Sequence, residues 1–228
     1  MKKTCFILLS CFLFTSCDKE DASPGITYPA TYKSETIYNT TPVYMFTSVG
    51  EVKDQAVIHA FAKKRGERYF LENKEEPVSA TQLLTLLSAG EAEVTNSDGT
   101  TDALDVQQEG KVLLFTSKEE GSVMVPASQV YLSDLLEGLS KYKPIRTEKQ
   151  ELAPATGYAY TYKTRSRFYG EFKDKGLHMH RMFITLKRPN GATVTVGTSN
   201  AFDPEGLNLL QTGDTLLVQS FMIASVKQ

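Results

Sequence analysis

Tryptophan is absent from the 228-residue chain, and its three cysteines are Cys5, Cys11 and Cys17. Everything after residue 17 therefore lacks a disulfide, a thiolate nucleophile and a cysteine metal ligand. Its stability has to come from an apolar core. No run reaches the roughly 20 apolar residues that a helix needs to cross a bilayer. Charge of neither sign dominates, since 25 Lys and Arg stand against 27 Asp and Glu. Without a basic cluster, nucleic acid is not an expected partner. There is no fixed-period repeat. There is also no G-x-S-x-G, H-E-x-x-H, phosphate-cradling glycine loop or dinucleotide fingerprint. No cofactor is expected.

What is present begins with Met1-Lys2-Lys3 and an almost wholly apolar stretch from Cys5 to Phe14. A short positive start, a short apolar core and small residues at its end form a secretory signal, here residues 1–16. Phe14-Thr15-Ser16-Cys17 resembles the lipobox of bacterial lipoproteins, with Phe14 standing where that family usually has leucine. Leu8-Leu9-Ser10-Cys11 fits the same short pattern, but cleavage there leaves too brief an apolar core. The resemblance implies cleavage before Cys17 and acylation of that cysteine, so that lipid attaches the protein to a membrane. Loss of Lys2 and Lys3 takes the formal net charge from −2 to −4.

Lys19-Glu20-Asp21, two residues beyond the cysteine, resembles the surface-export signal of Bacteroidota lipoproteins. That resemblance implies the lipoprotein export machinery as a partner and an outer-membrane location facing the exterior. The same charges, with Pro24-Gly25, also suit a solvated tether over residues 17–30.

Residues 31–228 read as a single strand-rich globular domain, which could divide into two joined halves near residue 144. Runs 31–38 and 42–50 are rich in Thr, Tyr, Val and Ile and read as strands. Asp54 as N-cap, with Val57, Ile58 and Phe61 on one face and Gly66 as C-cap, predicts a first helix. Residues 67–73 read as a third strand. Ser79-Ala80-Thr81-Gln82 has capping-box spacing ahead of Leu83, Leu84, Leu86 and Leu87, which predicts a second helix ending at Gly90. Leu132, Leu135, Leu136 and Leu139 predict a third. Asp98-Gly99, Glu109-Gly110 and Asn190-Gly191 are hairpin signals, and from Ile145 onward almost everything reads as strand. Strands joined by tight turns pair antiparallel. The expected fold is α+β: a curled sheet or partly closed barrel with about three short helices, similar by analogy to lipocalin-like domains.

Three clusters carry candidate chemistry. His178, His180 and Met182 alternate onto one strand face, where two imidazoles could chelate a metal. Ile184 and Leu186 continue that face, and core packing explains the same spacing. Tyr158, Tyr160 and Tyr162 form an aromatic row suited to lining a ligand cavity, or to packing with hydroxyls at water. The absence of tryptophan weakens a sugar-stacking role. Asn96, Asp98, Asp102 and Asp105 could offer oxygens to calcium, but the calcium-loop template is not met and an Asp-Gly turn explains the letters. No catalytic residue is assigned. The expected function is a surface-anchored lipoprotein with a non-enzymatic domain binding a small molecule, glycan or protein. The alternative is an extracellular hydrolase acting on glycans or peptides.

Overall fold

Period-two alternation builds most of this chain into strands, seen in a computed structural model that describes residues 26–64, 68–174 and 176–228. The first half holds β1 (Ala30–Asn39), β2 (Tyr44–Thr47), β3 (Gly50–Glu51), helix α1 (Gln55–Lys63), β4 (Glu75–Pro77), β5 (Leu83–Leu86), β6 (Glu91–Thr95), β7 (Thr101–Glu109), β8 (Val112–Ser117) and β9 (Gly121–Pro126). Helix α2 (Val130–Gly138) follows. The second half holds β10 (Ile145–Glu151), β11 (Tyr158–Arg165), β12 (Arg167–Lys173), β13 (Gly176–Lys187), β14 (Thr193–Thr198) and β15 (Thr215–Lys227). Single 3-10 segments lie at Ala127–Gln129, Pro154–Thr156 and Pro204–Leu209.

Eight strands pair antiparallel in chain order, β1-β5-β6-β7-β8-β12-β13-β15, and β15 closes back onto β1. This is an up-and-down barrel, consistent with the lipocalin-like architecture. Closure leaves the barrel strands without free edges. Eight strands enclose a space that side chains can fill, or that can hold one small ligand. Strands from both sides of residue 144 share this barrel, with β12 beside β8 and β15 between β1 and β13. Asn190-Gly191 makes the β13–β14 turn with Gly191 at φ +85°, and Asp98-Gly99 makes the β6–β7 turn with Gly99 at φ +84°. Both angles suit glycine alone among common residues.

One end of the barrel is filled by Leu86, Ala92, Leu104, Val106, Leu113, Phe115 and Leu177. Ile26, within the expected tether, packs against this core. Beyond the barrel, β13 and β15 continue as a two-sided sheet, with β14 on one edge and β2 on the other. Met182, Ile184, Leu186, Leu216 and Val218 face α2 and the Pro204–Leu209 segment. Leu217, Val43 and Met45 face α1 through Ile58 and Ala62. Both faces are buried because a helix covers each, and each fully buried aliphatic side chain contributes about 1.5–3 kcal/mol. A separate sheet, β10-β11-β9, packs its own small cluster around Val125, Tyr160 and Tyr162.

The helices test the sequence reading closely. Asp54 caps α1 as expected, its Oδ1 accepting from the Ala56 and Val57 amides at 2.9 and 3.2 Å. Val57 is nevertheless 46% exposed, so the buried stripe is Ile58 and Ala62. The expected cap at Gly66 lies outside the described residues. The third expected helix is α2, with Leu135 and Leu139 buried. The second is corrected: residues 83–86 form β5, hydrogen-bonded between β1 and β6. Leu84 and Leu86 point into the barrel, while Leu87 is 45% exposed. A short leucine run fits periods of 2 and 3.6 alike, and barrel closure selects the strand. The capping-box role fails too, because the Gln82 amide donates to Ser34 Oγ of β1 at 2.8 Å.

The strand expected over residues 67–73 is also corrected, for its described part is loop. Its backbone finds a side chain in place of a neighbouring strand. Gln219, fully buried, accepts from the Phe70 amide at 2.9 Å and donates to the Phe70 carbonyl at 2.8 Å.

Candidate functional site

The open end of the barrel holds a cavity of about 210 Å³. Cross-strand register builds its wall: Tyr32 pairs with Leu84, Leu84 with Val94, and Val94 with Asp102. Phe168 from β12, Met179 and Arg181 from β13, and Ile223 from β15 complete the lining. Alternation explains the β13 pair, since Leu177, Met179 and Arg181 share the inward side; His180, between the last two, also borders the cavity. The floor is thus apolar, and the rim is polar and internally bonded. Gln82 Nε2 donates to Asn96 Oδ1 at 2.9 Å, and Asn96 Nδ2 donates to Asp102 Oδ2 at 3.3 Å.

A second, wider cleft of about 550 Å³ lies outside the barrel wall, beneath α2 and the start of β10. It shares Phe168 and Ser199 with the barrel cavity. Its cations are Arg146 and Arg167, and Glu137 is the one carboxylate on its wall among the described residues. Glu137 pairs with Arg146, whose guanidinium also lies 4.4 Å from the centre of the Tyr162 ring.

Six buried side-chain N or O atoms lack a hydrogen-bond partner among the described residues. Two of them, Arg188 Nε and Asp214 Oδ1, face one another at 3.0 Å as an ion pair whose angle is not that of a hydrogen bond. The other four are Nε of Arg146, Arg167 and Arg181 and Nε2 of His180. All four belong to residues lining these two cavities. Buried polar groups are paired in more than nine cases in ten. Their concentration here marks the region as the functional candidate.

The sequence candidates fall partly within it. His178 faces outward from the barrel, its Nδ1 2.9 Å from the Tyr38 hydroxyl. His180 stacks on Tyr169 with ring centres 4.1 Å apart. Burial pushes both imidazoles below the usual histidine range; Lys173 adds to this on His178, whereas Glu171 opposes it on His180. Met182, Ile184 and Leu186 continue that face into the core under α2. Among the described residues no group of three or more His, Cys, Asp or Glu is placed to hold a metal.

Tyr160 and Tyr162 are buried on the small sheet, with Lys149 Nζ 4.2 Å from the Tyr160 ring centre. Burial raises the Tyr162 hydroxyl above the usual phenol range. Tyr162 reaches the cleft; Tyr158 and Tyr160 do not line it. Asp98 accepts from the Thr100 amide and hydroxyl at 2.9 and 2.6 Å, and Asp105 pairs with Arg165, so turn and ion-pair roles account for both. Cys17, Lys19, Glu20 and Asp21 lie outside the described residues. Sequence reasoning missed Arg146, Arg167 and Arg181. Arg181 could have been found, because it occupies the inward position two residues beyond Met179.

Comparison with protein-family models, curated proteins and solved structures returns no match for this chain.

Proposed function

We propose that this chain is a lipid-anchored, surface-displayed binding protein whose barrel mouth captures a small ligand of mixed apolar and polar character. The observation that carries the reading is the barrel cavity, with an apolar floor of Leu84, Val94, Met179 and Ile223 beneath a polar rim. Sites that bind small molecules are concave, mainly apolar and furnished with a few fixed polar groups. The location rests on the resemblance of residues 14–21 to lipoprotein signals. Within these two cavities Asp102 and Glu137 are the single carboxylates among the described residues, so neither offers the carboxylate pair that a glycan hydrolase uses.

Filling the cavity tests the reading. Anilinonaphthalene sulfonate, an apolar dye with one anionic group, is expected to bind the purified protein saturably at one site. Ile223→Trp places a large ring in the space the dye would occupy. It is expected to weaken dye binding by roughly tenfold or more, at an overpacking cost of about 1–3 kcal/mol. Equal dye affinity in the variant would remove the barrel mouth as the site.

A further inference from the structure

We propose that the cleft beneath α2 is a second, distinct site that binds a small polar ligand through an oxyanion, with Arg167 and Arg146 as its anchors. The inference does not depend on the membrane anchor or on occupancy of the barrel mouth.

Charge comes first. Arg146 is paired with Glu137, which leaves Arg167 without a carboxylate partner on the cleft wall among the described residues. The third arginine stands behind that wall. A Cβ built on Gly197, a cleft residue, would lie 3.5 Å from Arg181 Nη2. On the cleft wall itself, Arg146 and Arg167 against Glu137 leave one net positive charge among the described residues.

Hydrogen bonding points the same way. Nε of Arg146 and of Arg167, both cleft residues, is buried without a partner among the described residues. A guanidinium cannot lose its proton at ordinary pH, so it cannot relieve burial by becoming neutral. It needs an acceptor, and its planar fork matches a carboxylate, sulfate or phosphate in two parallel bonds. Arg167 faces out of the barrel, because its neighbour Phe168 points inward to stack on Phe115 at 5.1 Å. The hydroxyl-bearing residues Ser166, Thr198 and Ser199 line the same cleft. Its volume of about 550 Å³ falls within the range of small-molecule sites. Anion and hydroxyl partners together fit an acidic sugar, bearing either a carboxylate or a sulfate ester.

The cleft is rigidly framed. Asn200 accepts from the Tyr142 amide at 3.0 Å and donates to the Tyr142 carbonyl at 2.6 Å, tying the end of β14 to the segment before β10. Tyr142 in turn packs on Tyr169 with ring centres 4.3 Å apart. Arg146 and Arg167 are thus presented from two elements whose spacing is already set, which reduces the ordering cost of binding.

Calorimetric titration of the purified full chain separates the possibilities, using glucuronate, a sulfated glucose, inorganic sulfate and neutral glucose as probes. Saturable binding of at least one anion, with none by glucose, is expected. The strongest anion then identifies carboxylate or sulfate as the recognised group. Arg167→Gln is expected to lower that affinity by roughly tenfold or more, and Arg167→Lys to recover part of it by restoring charge without the fork. Side-chain Nε–H resonances of arginine in the wild-type protein are expected to shift with the same saturation curve, a readout that needs no variant. Failure of all three anions to bind would overturn the proposal. So would unchanged affinity in Arg167→Gln, or arginine resonances that stay still while an anion binds.

Discussion

Replacing Cys17 with alanine is expected to move the protein from the membrane fraction to the soluble fraction, or to stop its processing. Each acyl CH₂ buried in a bilayer contributes about 0.8 kcal/mol, and stable attachment takes two chains or one chain with a second signal. No helix among the described residues is long and apolar enough to cross a membrane. That the lipid on Cys17 carries the attachment is proposed from the resemblance of Phe14-Thr15-Ser16-Cys17 to a lipobox. Cys17→Ser, which keeps the size but not the sulfur, is expected to behave like the alanine variant. A variant still membrane-bound and normally processed would end the lipoprotein reading. Display is tested separately by changing Lys19, Glu20 and Asp21 together to alanine. That protein should stay lipidated yet escape protease added to whole cells, whereas the wild type is digested. Equal digestion would make the charged run a spacer and withdraw the surface location.

The largest expected loss of stability comes from Asp214→Ala. Asp214 is 1% exposed and sits just before β15. It accepts from the Tyr131 hydroxyl of α2 and, at 3.1 Å, from the Gln211 amide, and it pairs with Arg188 Nε at 3.0 Å. The Arg188 guanidinium lies 4.3 Å from the centre of the Tyr131 ring. Burial first, and then the bond to Asp214, pushes the Tyr131 hydroxyl up to about 12. One carboxylate thus ties α2, the segment after Pro204–Leu209 and the β13–β14 turn together. Removing one partner of a buried charge pair costs about 3–5 kcal/mol. The Arg188 side chain is one-third exposed, so solvent screening favours the lower end. At about 2–4 °C per kcal/mol for a domain of this size, melting should fall by roughly 6–12 °C. Tyr131→Phe, which removes one bond to a charged acceptor, should cost about 1.5–3 kcal/mol. An Asp214→Ala protein melting within about 2 °C of wild type would show that the network is not structural.

Local signals were legible where one residue type had one physical use. Asn190-Gly191 marked its hairpin because two-residue turns need positive φ, and Asp54 marked its helix because a carboxylate satisfies free amides. Leu83 to Leu87 were misread because leucine serves helix and strand equally, and the deciding contacts come from β1 and β6. The loop through Phe70 was misread for a related reason: its backbone partners belong to Gln219, 149 residues away in sequence. Among site residues, the eye fell on His178 and His180, which burial and ring contacts absorb. Arg181, between them and Met182, carries the inward charge. Arg146 and Arg167 come from strands of different sheets, β10 and β12, and no local pattern could join them.

The barrel mouth as a ligand site is tested most directly by a crystal structure of the protein with anilinonaphthalene sulfonate bound. The expected result is dye density in the barrel cavity, with its rings between Met179 and Ile223 and its sulfonate toward Arg181. Dye density confined to another surface, with the barrel mouth unchanged, would contradict the ligand-binding reading.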